Sequence, residues 1–485
     1  MTQEQELQLL QAIYDRLFDA ITYQPKGGKN PFNKDTTFIH FAKNEALNPA
    51  SFADAKNPAN PTGDLGSSEY FSAMVDKISP LSLEWNPSSA QLSKTYKDIL
   101  ETADTYSQPS DEAKAIYQRA YDYLHPVIEE VNPFTKEKVK TKTDSQEYSD
   151  YLDNLDEYVN VITTYRTEYN NYLDEYAAAE EAGDANDKKK AQRKWQQDEP
   201  ALANAIKKAQ KNLAAGNSKW VEMALATMGT SINDGIRMAL ESAKADVADD
   251  RFYASNMGGK PWLLSYAVPD NWYLDTNEAL DNFTELKISG KNKKVEDTTT
   301  THGYSFKTSY NAGLWSVGAE SAGTFSNKQH HMTGDNVSIS CKIAKVSIMR
   351  PWFNDFIFRT DNWYTNLKGP DGKLYISNGK IDSTNAENQL PMYPVAFIVA
   401  RDITITADFT KEDEEHISQA VSAGAKVGWG PFSVGGSYNY GKQEDRESAS
   451  FQDGKITIPG IQIIGWISTL VPACPLKSEN ELKQK

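Results

Sequence analysis

Cysteine is scarce in this chain: 485 residues contain two, Cys341 and Cys474. Neither belongs to a CxxC pair or a Cys/His cluster, so a disulfide framework and a cysteine-built metal site are excluded, and both read as small apolar fillers. Long apolar runs are missing too. No stretch reaches 18 apolar residues, so no transmembrane helix is expected. Basic charge is short as well: 51 Lys and Arg stand against 67 Asp and Glu, a formal net charge of -16. Phosphate recognition needs clustered cations, so nucleic acid is excluded as the main partner. The opening MTQEQELQLLQAIYDRLFDAI is acidic and amphipathic rather than basic and then apolar, so no secretory leader is expected. The chain then reads as soluble when made, and released or injected toward its target membrane by a route that needs no leader.

Catalytic signatures are also absent. There is no GxSxG elbow, no GxxxxGK[ST], no HExxH and no GxGxxG after a strand. The nearest constellation is His302, Glu320, His330 and His331. Adjacent histidines on a strand point to opposite faces, so this reads as a polar loop and not as a ligand set. The acidic run Lys411 to Glu415 lacks the spacing and the glycine of a calcium loop. A non-enzymatic protein without metal or cofactor is the expectation.

What the chain does have is tyrosine and tryptophan, 25 and 10, residues with an apolar body and a polar tip that suit interfaces. It also has a clear two-residue repeat from Ala420 to Gly441. Val421, Ala423, Ala425, Val427 and Trp429 fall on one face of an extended strand, and Ser422, Gly424, Lys426 and Gly428 on the other. Gly430-Pro431 breaks the run, and alternation resumes with Phe432, Val434, Gly436, Tyr438 and Tyr440. The pattern predicts a β-hairpin with an aromatic tip. Each arm has about the 9–11 residues of a tilted transmembrane strand, and the small, polar off-face suits a wetted lumen. A surface hairpin with one face on a core would show the same alternation. A counterpart lies at Gly303 to Phe325, with Tyr304, Phe306, Thr308 and Tyr310 alternating, a turn at Asn311-Ala312-Gly313, and Trp315, Val317 and Ala319 in the other phase.

The rest of the chain divides by periodicity into an α+β protein. Residues 1–257 read as an elongated helical bundle, interrupted by an irregular, aromatic-bearing wrap at about 25–87 that carries one short helical pattern, Glu69 to Ile78. Helical stripes run over Glu4 to Ile21, Ser88 to Ala103, Ser110 to Val131 with a kink or end near Pro126, Ser145 to Ala182 and Ser218 to Ala248. In the fourth, tyrosines fill most of a heptad seam from Tyr148 to Tyr176. That helix is acidic and the next one basic across Ala182-Gly183-Asp184, which predicts an antiparallel helical hairpin. Residues 258–476 read as an antiparallel β-domain, with strands expected at Val337 to Met349, Phe353 to Phe358, Leu374 to Ser377, Val395 to Ala407 and Lys455 to Leu470. Residues 477–485 read as a flexible tail.

A helical part joined to a β part with two candidate insertion hairpins resembles the architecture of β-pore-forming toxins of the aerolysin-like and perforin-like kinds. The resemblance covers about Thr298 to Phe451 and includes no family signature, so no residue role is carried over. It implies a lipid membrane and further copies of the chain as partners, with an unknown receptor possible. On that expectation Val421, Ala423, Ala425, Val427, Trp429, Pro431, Phe432, Val434, Tyr438, Tyr440 and Trp315 form the inserting surface. The long helices also resemble those of helical pore formers, which would place the inserting element in the first half. The alternative is a non-enzymatic binding or structural protein, a helical stalk with a β head, as cargo of a secretion or injection apparatus. What separates the two is whether the hairpin tips lie free or packed under other elements.

Overall fold

The computed structural model describes residues 3–26, 28–57, 60, 62–105, 111–131, 136, 138–230, 235–248, 262–289, 314–317, 337–360, 363–365, 376–407, 409, 411, 415, 418, 427–435, 449–452 and 454–476. The first half opens with helix α1 (Gln3–Thr22), whose stripe Leu10, Ile13, Tyr14, Leu17 and Phe18 is buried as its spacing predicts. Between it and α3 (Leu92–Thr102) the chain is not the irregular wrap that its Pro and Asn content suggests. It contains a ten-residue strand, β1 (Thr37–Ala46), which was not expected, and helix α2 (Leu65–Val75), which overlaps the helical pattern expected at Glu69 to Ile78. The short strand β2 (Ala103–Asp104) and helix α4 (Asp111–Leu124) follow. The helix expected from Ser110, kinked or ended near Pro126, ends at Leu124. Pro126 cannot continue the backbone ladder, and β-branched Val127 and Ile128 instead enter a hairpin, β3 (Val127–Val131) with β4 (Lys138–Lys142).

Helices α5 (Gln146–Glu181) and α6 (Ala185–Leu213) form the expected hairpin. The Ser145 hydroxyl accepts the Tyr148 N–H at 3.2 Å and starts α5. Gly183, at φ +68, makes the turn. Lys188 reaches Glu180 at 2.7 Å and Lys194 reaches Glu175 at 3.4 Å across it. The heptad tyrosines have a partner in α6: Trp195 packs against Tyr165, Tyr169 and Tyr172, stacking on the last at 5.5 Å between ring centroids. The expected last helix is two, α7 (Ser218–Thr230) and α8 (Gly235–Ala248).

The second half supplies seven strands, and the first half β1, to an eight-stranded, wholly antiparallel sheet built around the second half's longest strand. Its strands in chain order are β5 (Tyr266–Val268), β6 (Thr284–Ser289), β7 (Trp315–Val317), β8 (Ser338–Met349), β9 (Tyr364–Thr365) and β10 (Met392–Thr406). They continue with β11 (Val427–Trp429), β12 (Phe432–Gly435), β13 (Ser450–Gln452), β14 (Lys455–Ile458) and β15 (Gln462–Leu470). Strand β10 pairs with β8 on one side and with β15 and then β14 on the other. Strand β15 pairs in turn with β1, β14 with β13, and β8 with β5 and β6. Strands β7, β11 and β12 form a separate sheet, and β9 pairs only with β2. The expected strand at Phe353 to Phe358 is a 3₁₀ turn, Asp355–Arg359, started by the Asn354 side chain accepting the Phe356 N–H at 3.1 Å.

Both faces of the main sheet are covered, so β10 is apolar on both. Ala396, Ile398 and Ala400 join the α1 side of the core with Leu10, Ile13 and Leu17. Phe397 and Val399 point the other way, into a cluster with Phe71, Trp272 and Trp466. The change of periodicity near residue 258 therefore marks a change of secondary structure and not a division of the core. Each of the three largest clusters draws side chains from both halves.

Candidate functional site

The two sequences singled out as candidate hairpins meet. Strand β11 pairs with β12 through the Gly430-Pro431 turn and with β7 on its other edge, in the register Val427↔Val317, Gly428↔Ser316 and Trp429↔Trp315. Gly430 takes φ +56, the left-handed conformation a turn of this kind needs. Its N–H donates to the Leu314 carbonyl at 2.6 Å, which ties this turn to the residue ahead of β7. The arms beyond this contact, with Val421, Ala423, Ala425, Tyr438 and Tyr440, lie outside the described residues. So do His302, Glu320, His330 and His331.

The tip of the Ala420 to Gly441 hairpin is packed, not free. Val427, Trp429 and Phe432 are 0% exposed and Val434 1%, and Pro431 is buried between them. Alternation predicts one apolar and one wetted face, yet Gly428 and Ser433 on the off-face are buried as well. The backbone there is satisfied from the main sheet. Ser433 N–H donates to the Gln462 Oε1 at 2.5 Å, and Gln462 Nε2 donates back to the Ser433 carbonyl at 3.4 Å.

Helix α1 supplies the lid. A side chain built on Gly430 would meet the Leu10 methyl at 3.4 Å, and the Leu314 N–H donates to the Glu6 carboxylate at 3.3 Å. The apolar side of α1 thus lies on the small sheet and on the α1 side of the main one. Its other side is polar and meets α5. Arg166 holds Asp19 through both carboxylate oxygens, at 2.5 and 3.1 Å, Asn170 donates to Asp19 at 2.8 Å, and Arg16 pairs with Asp174. In turn α5 is fixed to the main sheet by Asn171, which donates to the Glu285 carbonyl at 2.9 Å, and by the ion pair of Asp156 with Lys345, whose side chain is 1% exposed. The inner layer is apolar and non-directional; the outer one is made of charge pairs.

One group in the tip pays for its burial. The Trp429 indole N–H has no hydrogen-bond partner among the described residues, a state that costs on the order of 1–3 kcal/mol. At a bilayer interface an indole keeps its ring in hydrocarbon and its N–H wet.

Other candidates carry less. A cleft of about 740 Å³ lies between α5, α6 and residues 266–270. It is lined by carboxylates such as Asp153, Glu157, Asp270 and Asp281, and by no histidine, lysine, arginine or cysteine. Burial, with Asp150, Asp156 and Asp270 nearby, raises the Asp153 carboxyl above its ordinary range. Among the described residues no group of three His, Cys, Asp or Glu is placed to hold a metal. Both thiols are buried and free, and burial pushes each up to about 12, far from a reactive thiolate. No helix among the described residues is long and apolar enough to cross a membrane. Compared with family models, curated proteins and solved structures, the chain matches none.

Sequence reasoning located the hairpin tip and missed its cover. The stripe on α1 was legible, but nothing in it names the strand turn beneath Leu10. The roles of Leu314 and Gln462 had no sequence signal, since each acts through one tertiary contact.

Proposed function

We propose that the chain is a non-enzymatic, toxin-like pore-forming protein that oligomerises on a target membrane and inserts the β11–β12 hairpin together with the segment around β7. The observation that carries this reading is the pairing of β7 with β11 under α1. Two Gly/Ser-rich alternating segments about 110 residues apart are held edge to edge, in register, beneath one amphipathic helix. A segment that is to span a bilayer as part of a barrel must leave no open strand edge and must hide its apolar face until release. With its apolar face under α1, the sheet meets the second requirement in the soluble state, in which the protein is made before it is released or injected; closing the strand edges falls to the assembled barrel. Release then means that α1 comes off the tip, after which Trp429, Pro431 and Phe432 lead and Val427 and Val434 face lipid.

A second reading is favoured by the depth of that burial. If the tip is only core, the protein is a binding or structural one. Dye release from liposomes, with and without brief protease treatment, separates them when the lipid-exposed protein is also passed over gel filtration. Pore formation gives release together with a shift to a large oligomer. Intact liposomes across several lipid mixtures, with the protein eluting unchanged, would overturn the pore reading in favour of the second.

A further inference from the structure

We infer that the corner joining α6 to α7 is a docking surface for a bilayer that carries anionic headgroups. Gly216, at φ +61 in open space, turns the chain there. The inner stripe of α7, Val221 and Ala224, packs with Ala120 and Leu124 of α4. Trp220 and Met223, one helical turn apart on another face, cover nothing: they are 48% and 55% exposed. Every other tryptophan whose burial is described is buried or half-buried, so Trp220 is the exception in a chain that otherwise puts its indoles away. An exposed Trp–Met pair of this kind is the usual mark of a contact surface.

Charge says what the contact is. Lys207, Lys208 and Lys211 end α6, and Lys219 starts α7, all four exposed. Of the earlier cations of α6, Lys188 and Lys194 are paired with Glu180 and Glu175, while Lys189, Lys190 and Arg193, like these four, make no ion pair among the described residues; only the four at the corner lie close in the chain to the exposed indole. Lys219 holds its ammonium 4.5 Å over the Trp220 ring. The neighbouring acid, Glu222, is engaged by the Tyr151 hydroxyl. A protein of net charge -16 is repelled as a whole by an anionic surface, so a corner that gathers four unpaired lysines and an exposed indole within 14 residues of chain is the face it would present. Lysines reach the phosphates while the indole and thioether enter the headgroup boundary.

The inference rests on the reading that the target is a membrane, but not on which segment inserts. The corner lies by the start of α5, where Asn217 donates to Glu147 at 3.5 Å. The α1 cover is tied further along, at Asp174, about 40 Å away at 1.5 Å per residue. Docking and uncovering are thus separate events.

The test is co-sedimentation of the full chain with vesicles of phosphatidylcholine alone and of phosphatidylcholine with phosphatidylserine, at low and physiological salt. The parent should bind the serine-containing vesicles and lose affinity as salt rises. Lys207→Glu with Lys211→Glu, and separately Trp220→Ser with Met223→Ser, should each weaken binding about tenfold or more while leaving the urea midpoint unchanged. Parent-like binding by both pairs of variants, binding indifferent to phosphatidylserine, or no binding by the parent would each overturn the inference. Binding through this corner without dye release leaves the inference standing and sinks the hairpin-insertion reading instead.

Discussion

His40 shows how closely single residues are fitted where β1 meets β15. Its Nδ1 lies 2.6 Å from the Ser82 carbonyl and so carries the proton. Its Nε2 then accepts from the Ser468 hydroxyl at 2.8 Å, and Ser79 reaches that hydroxyl at 2.7 Å. Burial disfavours the cation and lowers the His40 pKa to about 4. The folded chain therefore takes up this proton later than the unfolded one does. The stability that depends on neutral His40 is complete above the unfolded value of about 6.5 and is lost as pH falls from there toward 4. Urea midpoints between pH 7 and pH 4 should record a loss of about 3 kcal/mol from this group, and His40→Asn should flatten that part of the slope. An equal slope in the variant would remove the assignment. The second residue-scale prediction concerns Lys345 and Asp156. Asp156→Ala leaves the buried ammonium unpaired and should cost about 3–5 kcal/mol, while Asp156→Leu with Lys345→Met should fall near the parent. Equal losses in both variants would show that packing, not charge, is what Asp156 provides. Neither group was legible in the sequence, because burial and pairing arise from strands and helices far apart in the chain. Val427 and Val434 were legible as apolar positions, but alternation is the same whether their face meets lipid or Leu10. Their burial also rules out an aspartate at either position as a membrane test, since it would unfold the core first.

At the scale of elements, α1 was the easiest helix to read and the hardest to place. Its stripe predicted its bounds to within a residue at its end, because 3.6-residue spacing is a local property. What the stripe covers is a tertiary choice among several apolar faces. Similarly, the acidic and basic signs of α5 and α6 predicted their hairpin, whereas the strand inside residues 25–87 was hidden by its Asn and Pro flanks and by its pairing partner, β15, more than 400 residues away. If α1 is the cover, Leu10 is its central contact. Leu10→Ala should destabilise the fold by about 2–5 kcal/mol and, on the pore reading, lower the protein concentration needed for dye release. A destabilised variant whose release threshold is unchanged or higher would separate α1 from any covering role.

For the whole molecule, the α+β class and the antiparallel order of the second half were legible from periodicity. The joint core was not, since a boundary in pattern need not be a boundary in packing. That joint core bears on mechanism. The tip cannot leave while β12 is held to β15 through Ser433 and Gln462, so tying these strands tests the central claim most directly. Ser433→Cys with Gln462→Cys, in a chain whose two native cysteines are replaced by alanine, places two thiols on the adjoining strands where Gln462 meets the Ser433 backbone. With the disulfide formed, as confirmed by mass, dye release from liposomes should be abolished, and reduction should restore it. Release by the oxidised protein at the reduced rate would contradict the account, because the hairpin would then never have left the sheet.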